Sequence, residues 1–182
     1  MIDWKHGRQM ELLSQAEVWW YYVLRWDDNV KDIQEQYPLS LEKTLALCDQ
    51  FHVIHPANRQ TRMTTDFLVT YCDGSRRAIS IKHDRSILDD PRVVEKQFIE
   101  KMYWETAGVP FQILYKEDLE RRYVLNIMDV ISCYDPSRVS DDIGKIRYLI
   151  AHKEIEVDLQ SKLDYQALVK QYAGRIDRWL ET

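Results

Sequence analysis

In residues 10–25 the apolar positions Leu13, Ala16, Trp20 and Leu24 recur at three-to-four spacing with no helix breaker, which predicts a long aromatic helix. Residues 30–37 read as a short extended segment ending at Pro38, because the residue before a proline is pushed out of the helical region. Ser40 can cap a second helix that opens at Leu39-Ser40-Leu41 and runs to about Phe51, and His55-Pro56 ends that unit. Residues 64–71 alternate and are rich in β-branched and aromatic side chains, Asp73-Gly74 is a turn signal, and residues 77–83 resume a strand pattern. A hairpin is the clearest element in the chain. Asp89-Asp90-Pro91 can start a helix carrying Val94, Phe98, Ile99 and Met102, which Gly108 closes before Pro110, and residues 111–115 form a compact buried strand. Beyond them, residues 118–131 look helical, Pro136-Ser137 marks a break, residues 143–151 form a helix, 155–159 a short strand and 165–180 a last helix. The order strand, strand, helix, strand with flanking helices predicts an α/β fold with a mixed-sheet core. A boundary is placed near Asp135, giving a domain over residues 1–135 and a short, mostly helical extension over 136–182.

With 182 residues and 45% hydrophobic content, the chain can bury one real core. Its net charge of −5 argues against broad electrostatic binding of nucleic acid, so a DNA partner would be held locally or with help. Basic residues do gather between Arg59 and Lys101, among them Arg76, Arg77, Lys82 and Arg85, although an ordinary solvated surface accounts for most of them. Three cysteines, Cys48, Cys72 and Cys133, at long spacings and without a CxxC suggest reduced thiols in a cytosol. The opening Met1-Ile2-Asp3-Trp4-Lys5 lacks the layout of a signal peptide, and the longest apolar run, 18–24, is far below the roughly twenty residues of a membrane span. These features predict a soluble cytoplasmic protein without a membrane partner.

Phosphodiester hydrolysis needs a divalent cation held by carboxylates, an activated water and a positive charge facing the developing negative one. The hairpin supplies Asp66 on its first strand and Lys82 near the end of its second. Whether they share a face depends on register. A two-residue turn would set Asp66 opposite Ile81, whereas a three-residue turn over Asp73-Gly74-Ser75 sets it opposite Lys82, and the latter, or a bulge with the same effect, is the expected arrangement. A surface Asp–Lys pair without chemistry is the plainer reading of the hairpin alone. Glu17 falls within the apolar row of Leu13, Trp20, Tyr21 and Leu24, where an unpaired charge is costly unless a metal, a lysine or a raised pKa offsets it. The alternative is a stripe-edge Glu that reaches solvent. Glu100 stands one turn after Lys96 and could be a surface ion pair, and the isolated His55 and His83 are not required by this chemistry.

Several segments resemble one known family: Val30-Lys31-Asp32-Ile33-Gln34-Glu35-Gln36-Tyr37-Pro38-Leu39, His55-Pro56, Met63-Thr64-Thr65-Asp66-Phe67-Leu68-Val69, and Glu95-Lys96 to Glu100 with Tyr103-Trp104. In that order, over about residues 11–115, they are similar to the TnsA endonuclease N-terminal domain of Tn-seven-type heteromeric bacterial transposases. The resemblance implies a restriction-endonuclease-like (PD-(D/E)XK) mixed sheet flanked by helices. It implies catalytic residues Glu17, Asp66 and Lys82 with Glu100 nearby, and Mg²⁺ held by Glu17 and Asp66, with Mn²⁺ as a substitute. It also implies DNA at transposon ends as substrate, cut on the 5′ strand, and an integrase-type transposase and an ATPase regulator as partners. The chain departs from the family at Ser80, where members carry a Gln or acidic residue two positions before the lysine; this leaves the metal shell to a backbone carbonyl and waters. It departs again after Asp135, where longer members carry a winged-helix-like domain for partner contact and only residues 143–159 resemble its end. A stand-alone phage or defence nuclease of the same fold, and a regulatory subunit whose site has decayed at Ser80, are the alternatives.

Overall fold

Four strands build the sheet, in the order β1 (Val30–Pro38), β2 (Thr64–Tyr71), β3 (Arg76–Lys82) and β4 (Phe111–Tyr115), in a computed structural model that describes residues 1–56 and 61–178. β1–β2 and β2–β3 pair antiparallel, whereas β3–β4 is parallel and needs a crossover, which α3 (Pro91–Thr106) provides. The fold is thus α/β with a mixed sheet, flanked by α3, α1 (Gln15–Trp26) and α2 (Leu41–Phe51). Leu68 and Ala78 turn to one face and pack with Leu39, Leu47, Cys48, Met63, Ile99, Trp104 and Val109 beneath α2 and α3. Phe67, Val69 and Ile79, which alternate with them, are buried on the other face, and α1 packs on β1 and β3. Burying each large aliphatic side chain of this kind contributes about 1.5–3 kcal/mol.

Local signals explain most boundaries. Ser40 Oγ accepts the Lys43 N–H at the start of α2, and Asp90 accepts the Arg92 N–H at the start of α3, with Pro91 at its first position. Gly108, at φ +68°, closes α3. Helix α1, however, begins five residues later than the apolar spacing suggests. Ser14-Gln15-Ala16-Glu17 forms a capping box in which Ser14 Oγ accepts the Glu17 N–H at 3.1 Å and donates to Glu17 Oε1 at 2.8 Å. That box outcompetes the helical repeat at Leu13, which is left 73% exposed.

The hairpin loop has three residues, as expected, but they are Cys72-Asp73-Gly74. Gly74 must be the last of them because that position of the turn is left-handed, and its φ is +84°. The Gly74 N–H donates to Tyr71 O (3.0 Å) and the Tyr71 N–H to Ser75 O (2.9 Å). The ladder runs from Thr70 opposite Arg76 to Phe67 opposite Ile79, a slide of two residues from the expected register. An even slide changes the partner but not the face.

A second unit comprises residues 2–9 and the chain from Leu119 onward, apart from a first unit of Met1 and residues 10–118. The division falls after Asp118 rather than near Asp135, because α4 (Arg121–Ile131) packs on α5 (Asp142–Ala151) through buried Val124, Ile127, Val130, Ile146 and Ile150. Residues 155–159 are not a strand. Ile155 and Leu159 are buried as the alternation suggests, but Leu159 O accepts from Asn126 Nδ2 at 2.8 Å instead of from a ladder partner. The last helix breaks at Tyr172 into α6 (Tyr165–Gln171) and α7 (Ala173–Ile176), and its expected end at Leu180 lies outside the described residues. Among the described residues this unit has no hairpin wing, only the bridge Ile2–Gln9. Cys48 and Cys133 are buried and Cys72 is exposed, all three as free thiols. No helix of the described residues is long and apolar enough to cross a membrane.

Candidate active site

Asp66 lies just beyond the last paired position of β2 and β3, so its side chain takes over the work of a ladder carbonyl. Asp66 Oδ2 accepts the Ile81 N–H at 2.6 Å and the Ser80 hydroxyl at 3.3 Å, and stands 3.6 Å from Lys82 Nζ. Lys82 Nζ donates to Ser80 Oγ (2.8 Å) and to Ile81 O (2.9 Å). Ser80 Oγ also accepts from Gln97 Nε2 of α3 at 3.2 Å. The one donor and two acceptor sites of the Ser80 hydroxyl are therefore all used, on a side chain that is fully buried. Asp66 and Lys82 meet on one face with their side chains 20% and 13% exposed, so the ion pair is partly shielded from solvent.

Glu100 points from α3 into the same region and is buried, with Oε1 lacking any hydrogen-bond partner. Burial pushes its carboxyl up to about 7; the Asp66 charge adds to the rise, while a hydrogen bond from Thr65 and the charges of Lys82 and Lys96 oppose it. The Thr65 hydroxyl in turn accepts Trp104 Nε1–H at 2.7 Å. Glu100 is thus a buried acid beside Asp66, not the surface ion pair its spacing from Lys96 suggests.

Glu17 is buried too, and donors at the start of its own helix and on β1 meet its carboxylate. Its Oε2 accepts the Leu13 N–H at 3.0 Å and Gln36 Nε2 at 3.2 Å, and its Oε1 accepts the Ser14 hydroxyl. The donors and dipole at the start of α1 stabilise the charge where no lysine among the described residues reaches it. Glu17 makes no hydrogen bond with Asp66 or Lys82; it reaches the Asp66 strand through Gln36, whose Oε1 accepts from Thr64 Oγ1 at 3.1 Å. The structure brings Asp66, Lys82 and Glu100 together and leaves Glu17 one relay away.

Among the described residues no three His, Cys, Asp or Glu side chains form a group that could hold a metal ion. A cation such as Mg²⁺ does not require one, because it keeps several waters and commonly takes one or two carboxylates. Asp66 Oδ1 accepts no hydrogen bond among the described residues, and Glu100 Oε1 is a buried oxygen without a partner, so the hard oxygen donors present fit such an ion.

Around the site, Arg85 is paired with Glu117 and Asp118 and stacks 4.4 Å from the Tyr115 ring centroid, so this member of the basic strip is already engaged. Arg59, at the start of that strip, lies outside the described residues. His55 is buried against Thr44, and His83 is exposed beside Asp84. Sequence reasoning placed Ser80 beside the site but not its hydrogen bonds, and it missed Gln97, Gln36 and Thr65. A signal existed for two of them: Ser80 shares the Lys82 face by strand alternation, and Gln97 is one helical turn from Glu100.

Residues 27–116 match the family model described as TnsA-like endonuclease N terminal. The chain is also 33% identical over 138 residues to the transposon Tn7 transposition protein TnsA of Escherichia coli, an alignment covering 69% of this chain and 50% of that protein. The chain therefore spans about half the length of that relative. The matched segment contains all four strands with Asp66, Lys82 and Glu100, while Glu17 falls just before it. Through residues 27–116, this chain belongs to the TnsA-like endonuclease N-terminal family.

Proposed function

We propose that the chain is a divalent-metal-dependent DNA endonuclease of the restriction-endonuclease-like fold, acting in the cytoplasm as the cleaving subunit of a heteromeric transposase. The observation that carries this reading is the convergence of Asp66, Lys82 and Glu100 from two strands and a crossover helix onto one place. Bound at Asp66, Mg²⁺, or Mn²⁺ in its stead, would supply Lewis-acid stabilisation and a more acidic water. Lys82, fixed by Ser80 and Ile81 O, presents a positive charge where negative charge grows on the phosphate. Glu100, with its carboxyl near 7, can hold or release a proton at Oε1 near neutral pH. Glu17, as the second acid, is fixed at the head of α1 and linked through Gln36 to the Asp66 strand. Ser80 has every bond satisfied and holds Asp66 and Lys82 in contact, which supports a working site over a decayed one.

The net charge of −5 fits a subunit that relies on others for sequence recognition. In this reading an integrase-type transposase brings the transposon ends, this chain cuts the 5′ strand, and an ATPase regulator governs the assembly. The test combines the purified chain with its cognate transposase, end-labelled transposon-end DNA and Mg²⁺ or Mn²⁺. Cleavage of the 5′ strand that disappears on chelation and in Asp66→Ala is the expected result. Cutting that persists in Asp66→Ala would falsify the assignment.

A further inference from the structure

Gln36 is the odd residue of β1. Glu35 pairs with Phe67 and Tyr37 with Thr65, so Gln36 and Asp66 occupy the facing positions between those pairs. At that point the Gln36 backbone leaves the extended region for φ +47°, a left-handed conformation that is unfavourable for a residue with a Cβ and does not fit a regular strand. Such strain persists only where the surroundings hold it. Here they do: Gln36 Nε2 donates to Glu17 Oε2 at 3.2 Å and Gln36 Oε1 accepts from Thr64 Oγ1 at 3.1 Å. Only one orientation of the amide satisfies both partners, since a carboxylate can only accept and the Thr64 hydroxyl is the donor. A single side chain thereby ties the carboxylate of α1 to the strand that carries Asp66, two residues before it.

We infer that Gln36 is a positioning residue of the nuclease site: its left-handed backbone opens β1 opposite Asp66, and its amide sets the Glu17 carboxylate against the Asp66 strand. The inference rests on the nuclease reading above. It separates backbone from side chain, because glycine adopts φ +47° without a steric penalty but carries no amide. Glutamate keeps the shape of the side chain but replaces the donor to Glu17 with a like charge.

The test compares wild type, Gln36→Gly, Gln36→Glu and Asp66→Ala in the complete cleavage reaction with the cognate transposase, measuring kcat, KM for DNA and Tm. For Gln36→Gly we expect Tm close to wild type and unchanged KM, with kcat lower by about 10- to 100-fold, the scale of a displaced catalytic group. Gln36→Glu should lose at least as much kcat. Wild-type kcat in Gln36→Gly, with Asp66→Ala inactive, overturns the inference alone. Loss of kcat in step with lost Tm and weakened DNA binding also overturns it, because that pattern marks a purely structural residue. Undiminished cutting by Asp66→Ala overturns the nuclease site and the inference together.

Discussion

Replacing Ser80 with alanine removes the one hydroxyl shared by Asp66, Lys82 and Gln97, and the consequence can be worked out partner by partner. Asp66 Oδ2 keeps the Ile81 N–H at 2.6 Å, and Lys82 Nζ keeps Ile81 O at 2.9 Å, so each loses a secondary bond, about 0.5–1 kcal/mol apiece. Gln97 fares worse. Its Oε1 already lacks a partner and its side chain is buried, so losing Ser80 Oγ strands the amide; an unsatisfied buried polar group costs roughly 1–3 kcal/mol. Ser80→Ala should therefore destabilise the protein by about 2–5 kcal/mol. The second half of the cycle is diagnostic. Gln97→Leu is similar in size and has no polar atoms, so Ser80→Ala/Gln97→Leu should recover about 1–2 kcal/mol of that loss. Urea unfolding followed by tryptophan fluorescence, compared at equal m, measures all three variants. A Ser80→Ala protein within about 0.5 kcal/mol of wild type, or a double variant less stable than Ser80→Ala alone, would refute the idea that this hydroxyl is the centre of the network.

Glu100→Gln should change the pH dependence of stability. The folded carboxyl titrates near 7 against an ordinary 4.5, so its stabilising contribution is fully present below pH 4.5 and lost as pH rises through 7. At about 1.4 kcal/mol per pKa unit the loss approaches roughly 3 kcal/mol, and in EDTA the Gln variant should be the more stable protein at pH 8 but not at pH 4.5. Parallel unfolding curves for the two proteins across that range would count against burial as the cause. Gly108→Ala places a Cβ where no atom lies within 4 Å, yet at φ +68° it should lower stability by about 1–2 kcal/mol through backbone strain alone. An unchanged Tm would show that the end of α3 relaxes freely.

The strands and the helices α2 and α3 were legible because their signals are local: alternation in β2 and β3, Ser40, Asp90-Pro91 and Gly108 at helix ends. The shared face of Asp66 and Lys82 was legible as a matter of parity, and it survived a register slide that changed the residue opposite Asp66. The slide itself depended on which loop position Gly74 occupies, and α1 depended on a four-residue box competing with a longer apolar repeat. Other features depend on tertiary packing. The depth of Glu100, the Ser80–Gln97 contact and the Gln36 relay arise only when α1 and α3 settle on the sheet; spacing along the chain puts Ser80 and Gln97 on the right faces but does not pair them. For the same reason the donors to Glu17 at Leu13 and Ser14, a few residues away along the chain, do not show in the apolar row that contains it.

The exposed sulfur at the hairpin tip has a practical use. Of the three cysteines in the chain, Cys72 alone is open to solvent, the other two being shut inside. A maleimide dye added to the unaltered protein should therefore attach at one address, six strand residues from Asp66, or about 20 Å at roughly 3.3 Å per residue. That distance suits energy transfer to a labelled oligonucleotide, so the arrival of DNA could be timed without engineering a handle or touching the chemistry.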